Sequence, residues 1–273
     1  MIRMAYLRLA VLGDPVAHSL SPVIHAAALE FAGLEGTYSR RRVDHRGMRR
    51  AADDLRSGRL TGANVTMPHK ALAAGLADRR SGAVVRSGGA NTLWMENGRL
   101  HADSTDPEGV RFAWRHARLP ADAPVLLLGA GSAAAAALLA LADRQVFVAA
   151  RRPEAAHQLV ARVGAKAGVM PWGEPVAGAV LVNATPLGMR GEALPAGVLD
   201  EAGGLVELAY GGGQTPSEAV LAARELPVAS GELVLVGQGA ASFAIWAGVE
   251  VPPTVMLAAL AGHRDPPTEP ATR

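Results

Sequence analysis

Asn64, Thr66 and Lys70 bring an amide, a hydroxyl and an ammonium together in Asn64-Val65-Thr66-Met67-Pro68-His69-Lys70. Such a set can hold the hydroxyl groups of a small ligand and move a proton. Composition singles out the lysine, because the chain has 25 arginines and only two lysines, Lys70 and Lys166. A guanidinium keeps its proton near neutral pH, whereas a partly buried ammonium can be brought to release it. A second group is Ser19 and Ser21, two hydroxyls just before Pro22. Ser21 followed by Pro22 reads as an N-cap with proline at the first helical position. Ser19 has no cap to serve, and two hydroxyls at a helix N-terminus also suit a carboxylate. Both readings stand for the pair. A third group is Gly129-Ala130-Gly131-Ser132-Ala133-Ala134, a G-x-G-x-x-A loop whose glycines let a pyrophosphate approach closely.

These residues need elements to hold them. The run 7–12 is a short strand ending at Gly13-Asp14-Pro15, and a helix follows to about 31. Residues 38–43 and 60–65 read as further strands, 46–57 as a polar helix and 69–80 as another helix. Asn64 to Lys70 then lie at a strand's carboxyl end, where open α/β sheets bind ligands. Asn97-Gly98 between two alternating runs is a hairpin signal that puts Asn91 at the hairpin's start. Asp106 opens the next helix and reads locally as its N-cap.

After a linker at 119–124 the pattern changes to a continuous apolar run at 125–128, the glycine loop and an alanine-rich helix to about 142. The next strand, 145–150, ends in Arg151-Arg152, where an NAD site would place Asp or Glu. A guanidinium binds a 2′-phosphate and a carboxylate repels one, so NADP fits better than NAD; the alternative is two solvated arginines. Strands at 179–183 and 205–208 follow, and a final helix spans about 233–247 with Gln238 among small residues. The last ten or so residues read as frayed.

The expected fold is α/β, a substrate domain followed by a doubly wound nucleotide domain. Net charge is only +2 despite a pI of 9.4, and no basic block is interleaved with aromatics, so nucleic-acid binding is not expected. Zero Cys excludes disulfides, zinc–thiolate sites and a thiol nucleophile. No His/Asp/Glu spacing suggests a metal. No signal peptide opens the chain and no apolar run reaches about 20 residues, so a cytoplasmic, membrane-free protein is expected.

The chain resembles the shikimate dehydrogenase family over nearly its whole length. The resemblance rests on Ser19-Leu20-Ser21-Pro22, Asn64-Val65-Thr66 with Pro68 and Lys70, Asn91-Thr92, Thr105-Asp106, Gly129-Ala130-Gly131, Asn183-Ala184-Thr185-Pro186, Tyr210, and Gln238 with Phe243 and Trp246. It implies NADPH-dependent reduction of 3-dehydroshikimate to shikimate in aromatic amino-acid biosynthesis, by a monomer or homodimer. It implies Lys70 and Asp106 as the catalytic pair and Ser19 and Ser21 on the substrate carboxylate. Asn64, Thr66, Asn91, Asp106, Tyr210 and Gln238 would hold the rest of the substrate. Gly129, Ala130, Gly131, Ser132, Ala133, Arg151, Arg152, Thr185, Leu208 and Gly231 would hold NADP(H). The implied domains are 1–106 with 236–273 for substrate and catalysis, and 107–235, Rossmann-like, for NADP. The C-terminal helix thus returns to the first. The chain departs from the family at Ser104 (usually Asn), Ala150-Arg151-Arg152 (Asn-Arg-Thr), Val234 (Met) and Gly212 (Pro). A quinate/shikimate dehydrogenase with relaxed cofactor use and a non-catalytic NADP-dependent sensor are the alternatives.

Overall fold

The computed structural model describes residues 6–210 and 213–264. The first part of the chain runs β1 (Leu7–Gly13), α1 (Ser21–Phe31), β2 (Gly36–Arg42), α2 (His45–Arg56), β3 (Gly62–Val65), α3 (Lys70–Leu76), β4 (Arg79–Arg80), α4 (Gly82–Ser87), β5 (Thr92–Glu96) and β6 (Arg99–Asp103). Its strands form one mixed sheet in the order β2-β1-β3-β5-β6-β4. Side chains of β1 alternate between two cores, as a strand's period of two requires. Ala10 and Leu12 meet Met48 and Leu55 of α2, while Leu7 and Leu9 meet Ile24 and Leu29 of α1. Asn97 (φ 50) and Gly98 (φ 71) make the tight turn between β5 and β6 with the left-handed backbone such turns need.

The second part runs α5 (Asp106–His116), β7 (Val125–Leu128), α6 (Ser132–Ala140), β8 (Val146–Ala149), α7 (Pro153–Val163), β9 (Ala167–Met170), β10 (Val180–Asn183), α8 (Ala196–Asp200), β11 (Gly204–Glu207), α9 (Pro216–Ala223) and β12 (Val228–Ala229). Its sheet is parallel, in the order β12-β11-β10-β7-β8-β9. The order reverses beside β7, which is the Rossmann-like doubly wound arrangement with its crevice at the carboxyl ends of β7 and β10. Val125, Leu126, Leu127 and Leu128 are all fully buried, as a central parallel strand demands. The chain ends with α10 (Gly231–Ala247) and α11 (Pro253–Arg264). Phe243, Met256 and Leu260 join the α1 side of the first core, so the C-terminal helices do return to it.

Several local expectations need correction. The helix expected over 69–80 stops at Leu76, and β4 and α4 follow. The chain is captured there by β6: the Asp78 N–H donates to the Leu100 carbonyl and the Leu100 N–H to the Asp78 carboxylate, each at 2.8 Å. Strand β9 and helix α11 were not expected; Pro252-Pro253 hides a helix start behind two residues that usually mark a loop. Ser21 does not cap α1 and Asp106 does not cap α5, for Ser21 meets Tyr38 and Asp106 meets Lys70 and Asn91 instead. The tail expected to fray lies beyond 264, outside the described residues, as does Gly212.

Candidate active site

Lys70 is the first residue of α3. Pro68 stops the strand, and the His69 N–H closes a turn onto the Thr66 carbonyl at 3.0 Å. Asp106 begins α5, behind the hairpin. The fold brings the two together: Lys70 Nζ lies 2.5 Å from Asp106 Oδ2, with side-chain exposures of only 16% and 9%. The other carboxylate oxygen accepts from Asn91 Nδ2 at 2.7 Å, and Asn91 Nδ2 also donates to Gln238 Oε1 at 3.0 Å. The orientation of the Asn91 amide follows from its neighbours, since its Oδ1 accepts the Thr105 N–H at 2.8 Å and the Thr92 hydroxyl at 2.9 Å. The result is an ammonium aimed by a carboxylate, itself aimed by an amide. Such a chain can donate a proton to a developing oxyanion or take one from a hydroxyl.

The Ser19 hydroxyl donates to Ser21 Oγ at 3.1 Å, and the Ser21 N–H donates to Ser19 Oγ at 3.3 Å, both side chains being buried. Ser19, then, serves the first helical N–H, and the Ser21 hydroxyl meets Tyr38. The Tyr210 hydroxyl faces Ser19 and the Asp106 carboxylate, and burial raises its pKa, so it stays a donor. Asn64 accepts from the Tyr38 hydroxyl at 2.7 Å and donates to the Asn91 carbonyl and to Ser242 Oγ, both at 3.0 Å. Burial pushes the Tyr38 hydroxyl well above its ordinary pKa. His25 stacks on that ring at 4.3 Å and 4°, and burial lowers its pKa to about 3, which keeps it neutral. Thr66 is half-buried, its methyl packed against Gly13, where a Cβ would come within 2.3 Å.

Ser242 was missing from the sequence-derived set. Its hydroxyl contacts Thr92 and Thr105, each at 2.9 Å, as well as Asn64, and it donates to the Gln238 carbonyl at 3.0 Å. Its place one helical turn after Gln238 is the signal that points to it. The buried Ser104 contributes its N–H to the Asp103 carboxylate at 2.7 Å.

The glycine loop closes the same cleft from the other sheet. Gly129 has φ +118, and a Cβ there would lie 2.8 Å from the Ala184 carbonyl, so only glycine fits. Gly131 is exposed with nothing near its Cβ position, which leaves backbone N–H groups at the start of α6 open to an anion. Lys70, Ala130, Gly131, Ser132 and Arg162 line one cavity of about 240 Å³. Gly89 lies between the two sides: a Cβ there would be 3.0 Å from Ser132 Cβ and 3.2 Å from Lys70 Cβ. Ala133 is half-buried in the first turn of α6. Arg151 and Arg152 stand exposed just beyond β8, where a doubly wound fold holds the ribose of a dinucleotide. Thr185 donates its N–H and hydroxyl to Asn183 Oδ1 at 3.1 and 2.7 Å. Leu208 is half-buried beyond β11, and Gly231 packs so tightly that a Cβ would lie 2.3 Å from the Ala209 carbonyl. A glycine-lined crevice at the switch point, with free guanidinium groups beyond β8 and no carboxylate among 149–153, fits a 2′-phosphorylated dinucleotide. Val234 is buried, its carbonyl packed against Gly109 of α5.

Known proteins resemble the chain closely. Two family descriptions match it: Shikimate dehydrogenase substrate binding domain over residues 11–93, and Shikimate 5'-dehydrogenase C-terminal domain over residues 231–261. A shikimate dehydrogenase (NADP(+)) of an Anaeromyxobacter species is 37% identical, with 92% of this chain and 94% of that one covered. One of Thermus thermophilus is also 37% identical, covering 92% and 96%. A crystal structure of shikimate 5-dehydrogenase from Thermus thermophilus, in complex with NADP(H) and shikimate, superposes with a TM-score of 0.86 at 35% identity, covering 93% of this chain and 98% of that one.

Proposed function

Because this chain belongs to the shikimate dehydrogenase family, we propose that it is an NADP-dependent oxidoreductase that reversibly reduces 3-dehydroshikimate to shikimate, with Lys70 and Asp106 as its catalytic pair. The observation that carries this assignment of residues is the Lys70–Asp106 contact of 2.5 Å, shielded from solvent and opening onto the cavity that the glycine loop lines. NADP supplies the hydride acceptor in one direction and, reduced, the hydride donor in the other. Lys70 holds the proton at the substrate oxygen that becomes the hydroxyl, stabilises charge growing there, and takes the proton back in reverse. Asp106 aims Lys70 and accepts a hydrogen bond from the same hydroxyl. Ser19, Ser21 and Tyr210 hold the carboxylate end. Asn64, Thr66, Asn91 and Gln238 hold the remaining ring hydroxyls. Arg151, with Arg152 beside it, takes the 2′-phosphate, and Thr185, Leu208 and Gly231 line the nicotinamide end.

We divide the chain into 1–106 with 236–273 and 107–235. The reading includes a cytoplasmic location, supported by the biosynthetic family, and a monomer or homodimer, which gel filtration checks. Among the described residues no helix is long and apolar enough to cross a membrane. The functional test is NADP reduction with shikimate as substrate, with quinate and NAD as controls. Turnover with shikimate and NADP is expected to exceed every other pairing. Equal turnover on quinate would overturn the substrate assignment.

A further inference from the structure

Glu207 closes β11 with its side chain fully buried, outside the Lys70–Asp106 cluster. Three side chains or backbone groups converge on its carboxyl. Asn183 Nδ2 donates to its two oxygens at 2.9 and 3.0 Å, the Ala209 N–H to Oε1 at 2.9 Å, and Thr215 Oγ1 to Oε2 at 3.3 Å. Each belongs to a different segment. Asn183 ends β10, and its Oδ1 in turn holds the N–H and hydroxyl of Thr185. Ala209 lies between Leu208 and Tyr210, and its carbonyl is the atom against which Gly231 packs. Thr215 caps α9 in a capping box with Glu218.

We propose that Glu207 is a positioning residue for the cofactor: its carboxyl orients the Asn183 carboxamide and ties the 183–188 turn, the 208–210 segment and the start of α9 into one wall at the nicotinamide end. The proposal rests on the reading above that Thr185, Leu208 and Gly231 line that end. An Asn amide is nearly symmetric in shape, so only its partners decide which way it points. With its NH2 group on an acceptor-only carboxylate, its oxygen must face Thr185. Glu207→Gln replaces one acceptor oxygen by an NH2 group: the Thr215 hydroxyl alone can reverse to accept from it, while Asn183 Nδ2 meets a second donor, and the hold of the Asn183 carboxamide on Thr185 is loosened.

The site also titrates. Burial pushes the Glu207 carboxyl up to about 7; the Ala209 N–H, Asn183 and Thr215 pull it down, and Glu218 of α9, the charged neighbour acting on it, raises it further. Among its hydrogen-bond partners only the Thr215 hydroxyl can reverse and accept the added proton. Protonation therefore disturbs the same wall.

The test uses the full-length protein: kcat and KM for NADP and for shikimate, from pH 6 to 8.5, in wild type, Glu207→Gln and Glu207→Asp. We expect Glu207→Gln to raise KM for NADP roughly tenfold, the scale of one buried donor left unpaired. KM for shikimate should move much less. An inflection near 7 in the wild-type KM for NADP should vanish in Glu207→Gln. Glu207→Asp keeps the acceptor but shortens its reach, and should show a smaller cofactor-specific rise while keeping an inflection. Unchanged KM for NADP in either folded variant, or equal rises for both ligands, would overturn the proposal. If Glu207→Gln does not fold, Glu207→Asp and the wild-type profile decide by the same criteria. A wild type without shikimate and NADP turnover would sink the functional reading itself, and this wall with it, before any variant is compared.

Discussion

At the scale of single residues, the site is a set of polar side chains each aimed by another. Asn91 joins Asp106 to Gln238, and Ser242 joins Asn64 to Thr92 and Thr105. The two serines make a direct test of this logic. Ser19→Ala and Ser21→Ala should both raise KM for shikimate. The stability loss should fall on Ser19→Ala, at about 0.5–2 kcal/mol for a lost cap acceptor, because Ser19 Oγ takes the Ser21 N–H. Thermal unfolding of the two variants checks it, and a larger loss for Ser21→Ala would contradict it. Arg151→Ala should weaken NADP by roughly tenfold or more and leave NAD almost untouched, since a charge-assisted bond to a phosphate is about twice as strong as a neutral one. kcat/KM for both cofactors measures this; equal losses would mean that Arg151 supports the fold instead. The chemistry was legible in the sequence where residue type is scarce, as with Lys70 in a chain that relies on Arg. It was not legible at Ser242, because a serine in a helix is ordinary until the fold shows what it touches. Local preference misread Ser21 and Asp106 for a related reason. Capping is the only partner that sequence offers such a side chain, and tertiary partners took its place.

At the scale of elements, Asp106 and Gln238 come within reach of the one Asn91 amide because α5 and α10 approach at glycines. A Cβ on Gly237 would lie 2.9 Å from Gly109 Cα and 2.7 Å from Phe112 Cβ, and one on Gly109 would lie 2.5 Å from the Val234 carbonyl. Gly237→Ala must push the helices apart, at a cost of about 1–3 kcal/mol for overpacking. It should also raise KM for shikimate, because Gln238 moves away from Asn91. A drop in Tm without any change in KM would mean that the helix crossing does not set the site. The strands around the glycine loop were legible from their apolar runs and the Asn97-Gly98 turn from its dipeptide. The short pieces β4, α4 and β9 were not: β4 and β9 are held by pairing with β6 and β8, and α4 has only six residues, too few to show a period of its own.

At the scale of the whole molecule, two buried ionisable groups set opposite pH dependences. His25, lowered to about 3, binds no proton in the folded state at pH values where the unfolded chain does. Its contribution to stability is full above its ordinary 6.5 and is lost as pH falls towards 3. Glu207, raised from 4.5 to about 7, acts the other way: its contribution is full below 4.5 and is lost as pH rises through 7. Each slope is at most about 1.4 kcal/mol per pH unit, so the two offset between pH 4.5 and 6.5. His25→Phe should expose the Glu207 slope, and its Tm should fall from pH 4.5 to 7 more steeply than that of wild type. A profile parallel to wild type would contradict this. The central claim is that the two sheets build one cleft in which Lys70 moves the proton while the glycine loop holds the cofactor. Steady-state kinetics of Lys70→Ala with shikimate and NADP test it most directly. The account predicts a kcat lower by about 10²–10⁴-fold with a much smaller change in KM for shikimate, and Lys70→Arg nearly as poor. A Lys70→Ala variant that turns over at close to the wild-type kcat would contradict it.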